Sequence, residues 1–168
     1  MKISRLYVFL VVGFCMQVAK ANGELSEQVM ADEVPANVKN AFNRIYIDHD
    51  PDAWYLTVVK PKGEKKSKRF TATFDNEGRT HSVRFNEAGR PIGEYYLINH
   101  ETSQHIIDRI ANDFPSYEIS RVESVWLFSD NLSAFKVALD KKGKSEVVFV
   151  DDAGNQLYDE VLYQEFVE

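Results

Sequence analysis

The chain has 168 residues, of which 44% are hydrophobic, 12% aromatic and 27% charged, a composition typical of a folded globular protein. Its net charge is −6. Three of the 20 basic residues and none of the 26 acidic ones lie in the first 21 positions, so the remainder carries 17 basic against 26 acidic residues, or −9. That balance argues against nucleic acid as a general partner.

The first 21 residues have the pattern of a secretion signal. Lys2 and Arg5 supply a positive start, residues 6–18 an apolar run, and residues 19–21 a small-x-small cleavage site. The run is shorter than the roughly 20 apolar residues that span a bilayer, and no later segment is longer, so we expect no transmembrane segment. Cleavage removes Cys15, the only cysteine. The mature protein is therefore predicted to be exported, periplasmic or secreted, without disulfides or a thiol nucleophile.

An acidic linker is predicted over residues 22–33, followed by one helix and four strands. The helix starts at Pro35, and its apolar residues recur at i, i+3, i+4 and i+7. The period then changes from 3.6 to 2, which predicts strands. Four-residue turns ending in Gly78 and Gly89 separate the last three strands, because glycine suits a left-handed position. The apolar side of this helix consists of Val38, Ala41, Phe42 and Ile45. The strands are expected at residues 54–60, 70–74, 83–85 and 91–96.

The same order of elements is predicted again after residue 98. Thr102 or Ser103 can cap a second helix, which Pro115 ends. A strand over residues 122–128 follows, and the turn glycines recur at Gly143 and Gly154. The apolar stripe of this helix is Ile106, Ile107, Ile110 and Phe114.

The two halves are similar in sequence as well as in pattern. At an offset of 65 positions, residues 70–94 match residues 135–159 with six identities in 25, where roughly two are expected by chance. A unit of about 65 residues is marginal alone, so we expect the two copies to pack together. The identical pairs are Phe70 with Phe135, Asp75 with Asp140, Gly78 with Gly143, Val83 with Val148, Ala88 with Ala153, and Gly89 with Gly154.

The predicted fold class is therefore α+β, a tandem repeat of one helix packed on a four-stranded antiparallel sheet. The repeats are expected over residues 34–97 and 98–160, with a C-terminal segment over residues 161–168.

A family resemblance rests on a helix that begins at Val34-Pro35, a first strand with Trp54, and the spacing Phe-Asp-x-x-Gly then Phe-x-x-x-Gly that starts at Phe74. Over residues 34–160 the chain resembles the PepSY-like family of exported bacterial proteins, which is described as similar to the β-lactamase inhibitor protein. The resemblance implies that fold. It also implies a binding role, since the inhibitor protein binds its target across a concave sheet and related protease propeptide domains inhibit their enzymes. No inhibitory motif is matched.

Catalytic and metal motifs are weak. No serine lies in a Gly-x-Ser-x-Gly elbow, and no glycine-rich loop precedes a helix. Asp48, Asp50 and Asp52 alternate as at the start of a calcium loop, but Ala53 and Val59 replace the required glycine and glutamate. We therefore interpret this run as a solvated turn, and expect no catalytic residues, no metal and no cofactor.

Residues 60–69 concentrate six basic side chains in ten positions. Such a run is typical of a solvated hairpin tip, and the alternative is a contact with an anionic lipid, glycan or acidic protein face.

The strand at residues 147–150 is apolar on both of its faces, whereas its counterpart in the first half is not. One face must pack under the helix, and the other needs a cover, for which the candidates are the other copy, the C-terminal segment or an external partner. We favour an internal cover, because monomers rarely leave large apolar patches exposed. The candidate partner-binding residues on this face are Val147, Phe149, Arg84, Thr71 and Thr73.

The sequence thus predicts an exported, non-enzymatic binding protein, inhibitor-like, that engages an unknown protein or peptide of the cell envelope across a sheet face. The alternatives are a module that binds a small molecule or an envelope glycan, and a hydrolase assembled from scattered residues. A deep pocket with convergent polar groups favours the ligand-binding module. A shallow sheet that bears exposed aromatic rings favours the protein-binding one.

The signal predicts where the mature chain begins. N-terminal sequencing of exported material is expected to start at Asn22, after the Ala19-Lys20-Ala21 site. Recovery of the exported protein with residues 1–21 still attached would contradict this assignment.

Overall fold

The structure, a computed structural model, describes residues 26–59, 66–98 and 103–166. The predicted signal peptide and its cleavage site lie outside these ranges, as do residues 60–65 of the basic run. Among the described residues, no helix has the length and apolarity needed to cross a membrane.

The described residues form nine strands and three helices. In chain order these are β1 (Ser26–Val29), α1 (Ala36–Ile45), β2 (Ala53–Val59), β3 (Ser67–Asn76), β4 (Arg79–Asn86), β5 (Pro91–Leu97), α2 (Gln104–Asp113), β6 (Glu118–Leu127), β7 (Leu132–Lys141), β8 (Lys144–Val150), β9 (Gln156–Leu157) and α3 (Glu160–Phe166).

The predicted helices and turns are confirmed, except that Ile45, expected on the buried side of the first helix, is 42% exposed. Helix α1 follows directly after Pro35, and α2 lies between Ser103 and Phe114. The four turn glycines all have a left-handed φ, between 77° and 79°. This conformation is energetically unfavourable for any residue that has a side chain. They are Gly78, Gly89, Gly143 and Gly154.

The predicted fold class is wrong in one respect that matters for function. Instead of a tandem repeat with a separate four-stranded sheet under each helix, the strands form one antiparallel sheet in the order β1 to β9. The two halves join where β5 pairs with β6, from Gly93 opposite Leu127 to Leu97 opposite Glu123. Two separate sheets would each leave an edge of unpaired N–H and C=O groups at this point, and the pairing satisfies both edges. Residues 26–29, in the segment expected to be a linker, add β1 beside β2.

Helices α1 and α2 lie on the same face of the sheet, which we call the helix face. Helix α1 packs on β2, β3 and β4, and α2 packs on β6, β7 and β8. The core under α1 contains Val38, Phe42, Trp54, Phe70, Ala72, Phe74, Val83 and Phe85. The core under α2 contains Ile106, Ile110, Val122, Val137, Leu139, Val148 and Val150.

Helix α3 lies on the opposite face, which we call the α3 face. Its Leu162 and Phe166 are buried against side chains of β6, β7 and β8 that point away from α1 and α2. This third core also contains Val125, Leu127, Ala134 and Phe149. Strands β6, β7 and β8 thus have α2 on one face and α3 on the other, which explains why β8 is apolar on both sides.

The turn between β4 and β5 packs directly against α1. Gly89 lies against the helix, and a Cβ added there would be 2.6 Å from the backbone oxygen of Asn37. The Asn37 side chain also donates to the backbone oxygen of Glu87 at 3.0 Å. This glycine is thus needed for a close approach as well as for its φ.

Gly89→Ala is expected to destabilise the protein more than Gly78→Ala does. Both glycines have φ +77°, so both substitutions carry the same left-handed penalty of about 1 kcal/mol. Nothing lies within 4 Å of a Cβ at Gly78, whereas the Cβ at Gly89 overlaps the backbone of α1. Overpacking of this kind adds roughly 1–3 kcal/mol. Urea unfolding of the two variants measures the difference, and equal losses would show that the turn does not support α1.

Candidate functional site

Between α1 and α2 the sheet is not covered by a helix. Here β5 and β6 present side chains toward the helix face, with Glu94 opposite Trp126 and Tyr96 opposite Ser124. Tyr46, which follows α1, reaches this region from one side. We call this region the interhelical strip, made of Tyr46, Glu94, Tyr96, Ser124, Trp126 and Phe128.

The strip carries an exposed but ordered tryptophan. Trp126 is 46% exposed, and its ring is stacked on that of Phe128, with centroids 5.4 Å apart and an angle of 27° between the planes. Phe128 packs in turn against the core under α1. The indole is thus packed against a neighbouring ring and is still nearly half exposed, an arrangement typical of an anchor residue in a protein interface.

A buried polar network lies beside the aromatic stack. The Glu94 carboxylate accepts a hydrogen bond from the Tyr46 hydroxyl at 2.7 Å, and its other oxygen is 2.5 Å from Nδ1 of His81. The His81 and Glu94 side chains are only 10% and 15% exposed. Burial, and secondarily the hydrogen bond to Glu94, raises the pKa of Tyr46 above its usual range. Tyr46 therefore remains protonated and remains a donor to Glu94.

The network fixes the floor of the strip. The His81 imidazole is stacked on the Tyr96 ring at a centroid distance of 4.5 Å, so the His81–Glu94 contact also holds Tyr96 in place. In the described part of the chain, His81 has no hydrogen bond to a serine, threonine or cysteine, and no three His, Cys, Asp or Glu side chains are placed to hold a metal ion. Depressions of about 300 and 580 Å³ lie elsewhere, and neither is lined by His81 or Glu94.

The five candidate residues from the sequence lie on the α3 face. Phe149 is fully buried and Val147 partly buried in the core under α3. Arg84 contacts α3 through a hydrogen bond from Nη1 to the backbone oxygen of Glu165. Thr71 is 4% exposed, and Thr73 is partly buried on the same strand. The structure thus brings Val147, Phe149 and Arg84 together under α3. Of the covers considered for Phe149, it is the C-terminal segment that packs on this side chain.

Two loop motifs are also placed. The aspartates at 48, 50 and 52 fall in the connection between α1 and β2, where the Asp52 backbone N–H donates to the Thr73 oxygen at 2.7 Å. The basic run ends in β3, where Arg69 is buried and forms an ion pair with Glu165 at 3.1 Å. That arginine is therefore part of the folded core, and not of a solvated tip.

Sequence reasoning missed Trp126, although a signal for it was present. Val125 and Leu127 point to one face of β6 while Trp126 and Phe128 point to the other, so this strand is also apolar on both faces. The same test that singled out residues 147–150 applies here. The Tyr46–Glu94 bond joins residues 48 positions apart, and no local pattern indicates it.

No family model and no curated protein matches the sequence. Three solved structures have similar folds. A DUF2874 family protein from Bacteroides ovatus is 15% identical with a TM-score of 0.56, over 80% of this chain and 97% of its own. A BLIP-like protein from Bacteroides fragilis, similar to the β-lactamase inhibitor protein, is 13% identical with a TM-score of 0.54, over 75% and 84%.

A protein from Bacteroides eggerthii, described provisionally as periplasmic, is 14% identical with a TM-score of 0.53, over 74% of this chain and 86% of its own. Identities this low establish the fold alone. The chain therefore has a BLIP-like fold, in which the described residues form three helices on one nine-stranded sheet.

Phe149→Asp is expected to lower the free energy of unfolding by about 3 kcal/mol or more, because it places an unpaired carboxylate in the core under α3. Val58→Asp is the matched control, since Val58 also lies in a strand but is 44% exposed, and it should cost less than about 1 kcal/mol. Thermal or urea unfolding measures both. An unchanged melting temperature for the Phe149 variant would contradict the burial of this face.

Proposed function

We propose that this protein is an exported, non-enzymatic binding protein that engages a protein or peptide of the cell envelope through the interhelical strip. The observation that carries the proposal is Trp126, which is nearly half exposed and yet held by a ring stack. Tryptophan and tyrosine are enriched at the energetic centres of protein interfaces, where a rigid ring loses little entropy on binding.

The surroundings of Trp126 support a protein partner over a small ligand. The strip is a shallow stretch of sheet between two helices, and its carboxylate, Glu94, already contacts His81 and the Tyr46 hydroxyl. A partner that covers it therefore meets rings and hydroxyls and leaves no strip charge unpaired.

The likeness to other proteins supports the rest of the proposal. The BLIP-like protein from Bacteroides fragilis has a name that points to binding, and the protein from Bacteroides eggerthii has a description that points to the periplasm. The signal pattern of residues 1–21 agrees with export. Membership of the PepSY-like family and an inhibitor-like action remain parts of this proposal.

A glycan is the second candidate ligand, and one observation favours it. The exposed indole of Trp126 lies opposite Ser133 on one side and next to Ser124 along its own strand. A flat ring flanked by hydroxyl groups can stack on a sugar and hydrogen-bond its hydroxyls.

Trp126→Ala tests the proposal. In a cross-linking capture from the envelope of the source organism, the variant is expected to recover a specific partner at least about tenfold less than the unmodified protein does. Its melting temperature should change little, because the ring is half exposed.

The control is Tyr158→Ala, which removes a ring that is 81% exposed beyond β9, far from the strip. It should recover the partner at the level of the unmodified protein. Equal capture by the Trp126 variant would refute the strip as the binding site. Quenching of Trp126 fluorescence by soluble oligosaccharides, with no protein captured, would replace the protein partner with a glycan.

A further inference from the structure

Helix α3 is too short to be stable as an isolated helix. It has seven residues, fewer than the 12–15 or so that an isolated helix needs to be even marginally stable in water. Its helical form therefore depends on the sheet against which it lies. The groups on the α3 face that contact it form a seat, which we define as Arg69, Arg84, Gly93, Tyr95, Leu127 and Phe149.

The seat accepts an apolar pair spaced by one helical turn. Leu162 is fully buried and Phe166 is 5% exposed, and both belong to the core that contains Phe149. Gly93 leaves space for the second ring and for the neighbouring strand, because a Cβ at this position would lie 2.6 Å from Cζ of Phe166 and 2.6 Å from the backbone oxygen of Trp126. The Tyr95 ring meets Phe166 edge to face at 6.0 Å. The seat is thus shaped for residues at i and i+4 of a helix.

Two arginines recognise the end of the helix. Arg69 Nη1 donates to the backbone oxygen of Gln164 at 3.3 Å, and Arg84 Nη1 donates to that of Glu165. Carbonyl groups of a last helical turn have no partner within the helix, and cations favour this negative end of the helix dipole. Arg69 also pairs with the Glu165 carboxylate at 3.1 Å, and Arg84 lies 5.8 Å over the Phe166 ring. The two arginines thus contact two backbone carbonyl groups, the carboxylate of Glu165 and the ring of Phe166.

The fit of α3 is incomplete at two buried atoms, Nε of Arg84 and Oε2 of Glu165, of which the second is ion-paired with Arg69 but makes no hydrogen bond. The Nε–H of Arg84 is buried and has no hydrogen-bond partner. A buried donor without a partner is unfavourable, so a helix that places an acceptor at this point would make a bond that α3 does not make.

From these contacts we infer that the α3 face is a helix-binding site that the C-terminal helix occupies in cis. Its external ligand is an amphipathic helix of a protein partner, with two large apolar residues at i and i+4, an acidic residue directly before the second, and an acceptor for Arg84. Helix α3 then acts as a tethered competitor. Only Tyr158 and Asp159 separate it from β9, and a short tether gives an effective concentration of the order of millimolar.

The first test uses the full chain and a labelled synthetic peptide with the sequence of residues 158–168. In the chain with Leu162→Ala and Phe166→Ala, α3 loses its apolar anchors, and the peptide is expected to bind with an affinity at least about tenfold above that for the unmodified chain. A peptide carrying the same two substitutions should not bind. Failure of the peptide to bind the double variant would overturn the inference, as would equal binding to the unmodified chain.

The second test needs no substitution. Hydrogen exchange of the unmodified chain should show the amides of α3 exchanging at least about tenfold faster than those of β7, through local opening of the helix. Equal protection, lost only on global unfolding, would show that α3 is a fixed part of the core and would overturn the inference. A doubled mass in light scattering that Leu162→Ala and Phe166→Ala together abolish would make a second copy the occupant, and the partner helix would be wrong.

The Trp126→Ala chain separates this inference from the proposed function. Trp126→Ala alters the strip but not the α3 face. When Leu162→Ala and Phe166→Ala are also present, the peptide should therefore bind the Trp126→Ala chain as tightly as it binds the chain that keeps Trp126. The strip and the seat thus succeed or fail independently.

Discussion

The pairing of β5 with β6 is the constraint on which the rest of the structure depends. It places α1 and α2 on the same face of one sheet, because strands that continue in register keep the same side chains on the same side. Nine strands at about 4.8 Å span about 38 Å, and two helices about 10 Å wide cover only part of that width. The strip between them is therefore a direct result of joining the two halves edge to edge.

The same pairing makes the opposite face continuous, and there the structure relies on buried charge as well as on apolar contact. Arg69 and Arg84 hold the end of α3, while Glu123 is paired with Lys136 at 3.3 Å on neighbouring strands. Desolvation lowers the pKa of Lys136, and the nearby Glu123 carboxylate opposes that shift. Charges buried in this way destabilise a fold when one partner is removed. The two faces consequently differ in chemistry: the helix face combines an exposed indole with the His81–Glu94 pair, and the α3 face combines apolar contacts with the Arg69–Glu165 and Lys136–Glu123 ion pairs.

Local features of this fold are predictable because they are encoded over a few residues. Val38, Ala41 and Phe42 share one side of a helix whatever lies beneath them, and Gly78 and Gly143 end tight turns because of their own backbone freedom. The site is a different case. Trp126 and Phe149 both lie in strands that are apolar on both faces, yet the first is nearly half exposed and the second is buried. Periodicity alone treats them alike, and the positions of the helices distinguish them: α3 covers Phe149, and the gap between α1 and α2 leaves Trp126 exposed.

The sequence by itself determined where the helices, hairpins and turn glycines of this protein lie, and it indicated that the C-terminal segment was one possible cover for Phe149. The tertiary structure decided which strand edges meet, which face each helix covers and which aromatic ring is left for a partner. The physical reason is range. Side-chain periodicity and backbone conformation act between neighbours in the chain, whereas the Arg84–Glu165 and Tyr46–Glu94 contacts join residues 81 and 48 positions apart. Such pairs are selected by the packing of the whole sheet.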